Sequence, residues 1–152
     1  MDNIGFFLPK LQGEKHTAII EHISTYISNN ANKQIVVFCN NTDVVFPWNV
    51  PVLHVNEAKY FDGSIVVFDI LSALIIKNFK TQKNKYFWIG SAMPWSSNPS
   101  ENYQTFQDIF DDKDITFVVA DQTIQDIYEI CYNKPQYVFK EFNHENLQKL
   151  IG

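Results

Sequence analysis

The chain has 152 residues, of which 45% are hydrophobic and 15% aromatic, and its formal net charge is −5. A chain of this length predicts one domain, residues 1–152, and its hydrophobic content is sufficient for a core without disulfide or metal support. Because a surface that binds nucleic acid needs a basic face to neutralise phosphates, the acidic balance argues against a nucleic-acid partner.

Seven short apolar runs predict β-strands. They cover residues 4–8, 34–39, 51–55, 65–68, 86–89, 115–120 and 137–139. Each run is nearly continuous and rich in β-branched or aromatic residues, which is typical of strands buried on both faces. Residues 44–46 are ambiguous because Pro47 interrupts the run directly after them.

Helical patterns lie between these runs. The first helix covers residues 14–29, with an apolar face of Ala18, Ile19, Ile20, Ile23, Tyr26 and Ile27. One helical turn is expected at residues 57–60 and a terminal helix at 145–151. Three further helices are predicted to bury Leu71, Leu74, Ile75 and Phe79; Tyr103, Phe106, Ile109 and Phe110; and Ile124, Ile127, Tyr128 and Cys131.

Asp69 and Asp121 each stand between a strand and a helix. A carboxylate in that position accepts hydrogen bonds from the free N–H groups of the first helical turn, so both are predicted to be N-caps. The strand at 65–68, the helix after Asp69 and the strand at 86–89 form a βαβ unit, and such crossovers build parallel sheets.

Since strands and helices alternate along the whole chain, we predict an α/β fold. It consists of one doubly wound, mainly parallel sheet of six or seven strands, in the order 3-2-1-4-5-6, with helices on both faces. In such sheets ligands bind at the carboxyl ends of the strands, near the point where the strand order reverses.

The loops that follow the strands therefore hold the candidate site residues. They are Gln12, Gly13 and His16 after the first strand, Asp69 after the fourth, and Ser91 and Trp95 after the fifth. Each also has a structural interpretation, such as a helix cap for Asp69, an exposed helical position for His16, and packing beneath a loop for Trp95. Dinucleotide, P-loop and nucleophile-elbow motifs are absent from the sequence.

Cys39 and Cys131 are the only cysteines, and we predict two buried free thiols in a reducing compartment. No spacing of cysteine or histidine indicates a metal site, and no cofactor is expected. The N-terminal residues lack the pattern of a signal peptide, and the longest apolar run is far shorter than the ~20 residues of a membrane span. We therefore expect a cytoplasmic protein without a membrane span.

Several segments resemble a known family. Residues 4–9, the loop 11–15 around Gly13 and the run 35–38 are similar to the first strand, the glycine-containing loop and the second strand of GT-B-fold glycosyltransferases. Residues 114–121 and 137–143 resemble the closing segment of that family's N-terminal domain. The resemblance implies a Rossmann-like, acceptor-side half. In it Gln12, Gly13, Ser91 and Trp95 would bind a sugar acceptor, and Asp69 or His16 would be the catalytic base.

Departures from the family pattern leave the function open. The family's donor-binding domain has no counterpart in this chain, and all twelve basic residues are lysines, so the usual arginine clamp for a diphosphate is absent. We expect a half domain that is inactive alone and acts with a separate donor-binding chain or a protein partner. The alternatives are a non-catalytic protein-interaction module on the same fold, or a nucleotide- or flavin-binding domain of flavodoxin-like type, which the missing phosphate loop disfavours.

Overall fold

The computed structural model describes residues 3–11, 13–43, 49–80, 82–89 and 99–152, and of residues 13, 15 and 99–103 it describes only the backbone. The strands are β1 (Ile4–Phe7), β2 (Ile35–Cys39), β3 (Val52–His54), β4 (Ser64–Val67), β5 (Lys85–Trp88), β6 (Ile115–Val119) and β7 (Tyr137–Val138). The helices are α1 (Gly13–Asn29), α2 (Ile70–Lys77), α3 (Pro99–Phe110), α4 (Gln122–Cys131) and α5 (His144–Ile151), with a 3-10 helix at Val55–Tyr60. The ambiguous residues 44–46 lie outside the described ranges.

All seven strands form one parallel sheet in the order β3-β2-β1-β4-β5-β6-β7. The predicted parallel order is confirmed, and β7 extends it beyond β6. The predicted strand bounds agree with the observed ones to within one residue at each end. This α/β architecture is Rossmann-like.

Each face of the sheet carries its own hydrophobic core. Successive residues of a strand point to opposite faces, so Phe6 and Phe7 of β1 belong to different cores. One face, here the α3 face, is covered by α2, α3, α4 and the 3-10 helix. The other, the α1 face, is covered by α1 and α5. Helices therefore lie on both faces, as predicted.

Phe110 is the centre of the core on the α3 face. It is fully buried, and its ring centroid lies 4.8 Å from that of Tyr128, 5.6 Å from Phe117 and 6.1 Å from Phe87. Burial raises the pKa of Tyr128 well above its usual range, so its hydroxyl stays neutral. These rings join α3 and α4 to β5 and β6.

On the α1 face, the half-buried Phe142 contacts several rings at once. Its ring centroid is 5.0 Å from that of Trp88, 5.1 Å from Phe68 and 6.3 Å from both Phe6 and His22. The first three contacts are to residues in or directly after β5, β4 and β1, and His22 is on α1. Phe142 thus joins the segment before α5 to the middle of the sheet.

The predicted inner face of α2 is wrong. Leu71, Leu74 and Ile75 are exposed, and the helix instead buries Ser72, Ala73 and Ile76. Two of these are small, which lets the helix backbone approach the sheet closely. Phe79, in contrast, packs against the core of the α3 face as predicted.

Two other predicted helix faces need smaller corrections. Cys131 is exposed, whereas Cys39 is buried as predicted. The inner face of α4 is rotated towards Gln125, which is buried because its side-chain amide donates to the carbonyl of Pro135 (2.8 Å). On α1, Ala18 is exposed, while Ile19, Ile20, Ile23 and Tyr26 form the buried face.

Lysines satisfy helix carbonyls at the amino edge of the sheet. The buried Lys85 donates from Nζ to the carbonyl of Lys77 at the end of α2 (2.9 Å), and Lys77 Nζ donates to the carbonyl of Asp108 in α3 (2.9 Å). A cation at a helix C-terminus interacts favourably with the helix dipole. Burial lowers the pKa of Lys85. The nearby carboxylates of Asp112 and Asp114 act in the opposite direction and raise it, but burial is the larger effect. These lysines lie at the edge opposite to the candidate loops.

Candidate functional site

The strand order reverses between β1 and β4, which lie side by side with Phe7 paired to Val67. From the carboxyl end of β1 the chain passes to α1 on one face of the sheet. From the carboxyl end of β4 it passes to α2 on the other face. In doubly wound folds such diverging connections leave a crevice between them, and ligands bind there. We call it the switch-point crevice.

Asp69, which follows β4 at this crevice, is the N-cap of α2. Its Oδ1 accepts from the backbone N–H of Ser72 (2.8 Å), and its Oδ2 accepts from the Ser72 hydroxyl (2.7 Å). The predicted cap is confirmed, and both carboxylate oxygens are engaged in it. A base role for Asp69 stays a prediction, and it would have to share the carboxylate with the helix.

The same capping is repeated along the carboxyl edge. Asp121 after β6 accepts from the backbone N–H of Ile124 (2.8 Å), as predicted, and Asn143 after β7 accepts from that of Asn146 (2.8 Å). The polar residues at these strand ends therefore satisfy the free N–H groups of α2, α4 and α5. This local structural role explains their presence without a catalytic function.

We expect Asp69→Ala to lower the free energy of unfolding by about 1–2 kcal/mol, because it removes the cap of α2. Asp69→Asn should cost only about 0.5 kcal/mol, since the asparagine oxygen still accepts from the Ser72 N–H and its Nδ2 can donate to the Ser72 hydroxyl in place of the bond that Oδ2 accepts. Urea unfolding followed by circular dichroism measures both. Asp121→Ala, a cap away from the crevice, is the matched control. Equal losses for Asp69→Asn and Asp69→Ala would show that the hydrogen bond is not the stabilising element.

On the other side of the crevice, α1 begins at Gly13, and His16 is half-buried one turn further along. A shallow groove along α1 is lined by Glu14, Thr17, Ala18 and Glu21. Glu14 lies in the first turn of the helix, where it already complements the positive end of the helix dipole. This helix start is therefore less suited to a diphosphate than an uncharged one.

The register of β1 and β4 places Asp69 and the first turn of α1, with Gly13 and His16, at one edge of the sheet. Gln12, Ser91 and Trp95 lie outside the described residues, so their predicted places in the site stay predictions. His54, for which the sequence offers no obvious partner, caps the 3-10 helix by accepting from the backbone N–H of Asn56 (3.2 Å).

One contact that sequence reasoning missed joins α1 to α5. The rings of His22 and His144 lie 6.0 Å apart, beside Phe142. Residues 22 and 144 are too distant in the chain for local periodicity to pair them.

Comparison of the chain with models of protein families, with curated proteins and with solved structures gave no match. Within the described ranges no group of three or more His, Cys, Asp or Glu side chains could hold a metal ion. No helix in that part of the chain is long and apolar enough to cross a membrane. A Rossmann-like fold hosts many activities, so the function has to be argued from the surface features described above.

Proposed function

We propose that this chain is a protein-interaction module that binds through the exposed apolar face of α2. The observation that carries the proposal is the row formed by Leu71, Leu74 and Ile75, whose side chains are 71%, 37% and 47% exposed. We call this row the α2 face. Its spacing of three and four residues places the three side chains on one side of the helix.

An exposed row of this kind differs from ordinary surface composition. Single exposed apolar residues are common and need no explanation, whereas contiguous ones mark interaction sites. Burying a leucine or isoleucine side chain stabilises by about 1.5–3 kcal/mol, so covering this row gives a partner a favourable contact. A helix face with anchors at i, i+3 and i+4 is a recurring recognition element between proteins.

The chemistry at the carboxyl edge supports a binding role over a catalytic one. Asp69 and Asp121 lie two residues beyond the ends of β4 and β6, and the carboxylate of each accepts the N-cap hydrogen bond of the next helix. A general base needs a carboxylate directed at substrate. The interaction module therefore accounts for both the engaged acids and the exposed α2 face.

Site-specific photo-crosslinking in cells that carry the gene tests the proposal. A photoreactive residue in place of Leu71 should give a discrete crosslinked product, and Leu74→Glu in the same chain should remove it. The same photoreactive residue in place of Thr123, an exposed polar position on α4, is the control and should give none. No product from position 71, or a product unaffected by Leu74→Glu, contradicts the proposal.

A second candidate function is the acceptor-side half of a two-chain, glycosyltransferase-like enzyme. The specific observation in its favour is the topology, in which the helix that begins with Gly13 and carries His16 follows β1 and Asp69 follows the neighbouring strand β4. In this proposal a separate chain supplies the sugar nucleotide, and His16 or Asp69 accepts the proton of the sugar acceptor's hydroxyl.

For this second candidate we expect no sugar transfer by the isolated chain and no binding of sugar nucleotides tighter than millimolar, since it has no arginine. The melting temperature should therefore not change with sugar nucleotide at micromolar concentration. A ligand that binds the native state must raise stability, so a clear increase would contradict the expectation. Transfer after addition of a donor-binding chain, lost in His16→Ala or Asp69→Asn, would support the candidate.

A further inference from the structure

We infer that His22 of α1 and His144 of α5 together bind one divalent transition-metal ion of the Zn²⁺, Ni²⁺ or Cu²⁺ type. The two imidazoles are its protein ligands and water completes the coordination, because within the described ranges no group of three or more ligating side chains is assembled. The pair lies beside Phe142 on the α1 face, whereas α2 covers the α3 face. The inference is therefore independent of the proposed function.

The distance between the two rings suits one shared ion. Their centroids lie 6.0 Å apart and their planes are inclined by 30°. An imidazole nitrogen binds Zn²⁺ at about 2.0–2.1 Å, which puts the ring centroid roughly 3 Å from the ion. Two imidazoles on one ion therefore have centroids roughly 5–6 Å apart. The observed separation is at the upper end of that range.

His144 has a buried nitrogen that the described part of the chain leaves unpaired. Its Nδ1 has no hydrogen-bond partner among the described residues. In a neutral imidazole each nitrogen is either a donor or an acceptor, so this atom needs a partner of one kind or the other. Buried polar atoms are nearly always paired, and an exception calls for an explanation such as an ion. An ion between the two rings supplies the partner that Nδ1 lacks.

Hydrogen bonds near both ends of α5 fix the two ligands relative to each other. Asn143 caps the helix directly before His144, and its side-chain oxygen accepts from the backbone N–H of Asn146 (2.8 Å). Further along α5, Gln148 Oε1 accepts from Nδ2 of the buried Asn30, which follows α1 (3.0 Å). Ligands carried by fixed helices keep their geometry better than ligands carried by loops.

The chemistry of the ligands selects the kind of ion. Neutral imidazole suits Zn²⁺, Ni²⁺ and Cu²⁺, whereas Mg²⁺ and Ca²⁺ prefer oxygen ligands. Among the three, Cu²⁺ should bind most tightly. With only two protein ligands the ion should bind weakly and exchange with solution. The site therefore differs from a closed structural zinc site, which has four protein ligands.

Thermal unfolding of the full chain with and without Zn²⁺ or Ni²⁺, up to about 1 mM, tests the inference. Because the two histidines are far apart in the unfolded chain, the ion should bind the native state and raise the melting temperature. His22→Gln and His144→Gln should each weaken metal binding roughly tenfold or more, since a single imidazole remains. Mg²⁺ at the same concentration should have no effect.

Two variants control for metal binding elsewhere. His54→Gln removes a histidine that caps the 3-10 helix, and Cys131→Ser removes the exposed thiol. Both should keep the metal-dependent increase in melting temperature. Circular dichroism spectra without metal check that each variant is folded.

A measurement on the wild-type chain does not depend on how the variants fold. Paramagnetic Ni²⁺ should broaden the imidazole NMR signals of His22 and His144 at lower concentrations than those of His16 and His54. Three results would overturn the inference: no increase in melting temperature with either ion, an increase that both His22→Gln and His144→Gln retain in full, or earlier broadening of His16 or His54.

Discussion

Replacing Phe110 with alanine should lower the free energy of unfolding by about 4 kcal/mol, since loss of a buried phenylalanine ring removes its transfer free energy and leaves a cavity. Phe110 is fully buried and contacts the rings of Phe87, Phe117 and Tyr128. Those rings are attached to β5, β6 and α4, so they cannot collapse together into the space. Urea unfolding followed by circular dichroism measures the loss.

Two controls separate the cavity from general effects of substitution. Phe110→Leu keeps most of the volume and should cost about 1 kcal/mol. Tyr60→Ala removes an exposed ring and should change stability by less than about 0.5 kcal/mol. A loss below about 2 kcal/mol for Phe110→Ala would mean that α3 rearranges to fill the space, and the described core would need revision.

Gly63→Ala should lower the free energy of unfolding by about 3 kcal/mol, because the added Cβ has no space. It would meet the carbonyl oxygen of Asn3, lie 2.8 Å from the carbonyl carbon of that residue, and lie 2.8 Å from Cε1 of Phe61. The backbone of Asn3 cannot easily move away, because its carbonyl accepts from the backbone N–H of Ser64 (2.8 Å). Relief of the clash would disturb the pairing of β1 with β4.

Asp62→Ala is the matched control for Gly63→Ala. Asp62 is the exposed neighbour of Gly63 and uses its backbone carbonyl, not its side chain, to accept from the amide of Asn3 (3.2 Å). It should therefore unfold like the wild-type chain. A melting temperature for Gly63→Ala equal to that of Asp62→Ala would show that the turn before β4 accommodates a side chain, which the described geometry does not allow.

The sheet was predictable from the sequence because its strands are short and buried on both faces. Runs such as residues 65–68 and 115–120 are apolar except for Thr116, and each is followed directly by a helix cap, Asp69 or Asp121. The crossovers then require parallel pairing. In these elements the local sequence pattern and the overall sheet topology both indicate buried parallel strands.

The inner face of α2 was not predictable by the same reasoning. The helix itself carries apolar side chains on all of its sides, so periodicity alone does not indicate which side is buried. The decisive feature is the double hydrogen bond between Asp69 and Ser72, which fixes where the helix begins and places Ser72 in the interior. Since serine is usually exposed, the sequence gives no sign that Ser72 is buried in place of Leu71, Leu74 and Ile75.

The candidate site was predictable in its position more than in its chemistry. The strand order places Gly13, His16 and Asp69 at the carboxyl edge of the sheet, where β1 and β4 lie side by side, and their role in a site stays a prediction. Whether a side chain caps a helix or meets a ligand depends on distances of a few ångströms, which periodicity does not contain. For Asp69 the hydrogen bonds settle the cap. The roles of Gln12, Ser91 and Trp95 in binding stay predictions.

The central position of β1 affects the order in which the chain acquires its structure. Ile4 pairs with Ile35 on one side and with Ser64 on the other. During synthesis β1 can pair with β2 well before β4 has left the ribosome. Until β4 is available, the other edge of β1, a strand that is fully buried in the native fold, stays unpaired. Such edges are templates for pairing with other chains, and pairing distant in sequence is slow. Early release of an incomplete chain should therefore favour aggregation, and truncation just before residue 64 should be more harmful than loss of α5.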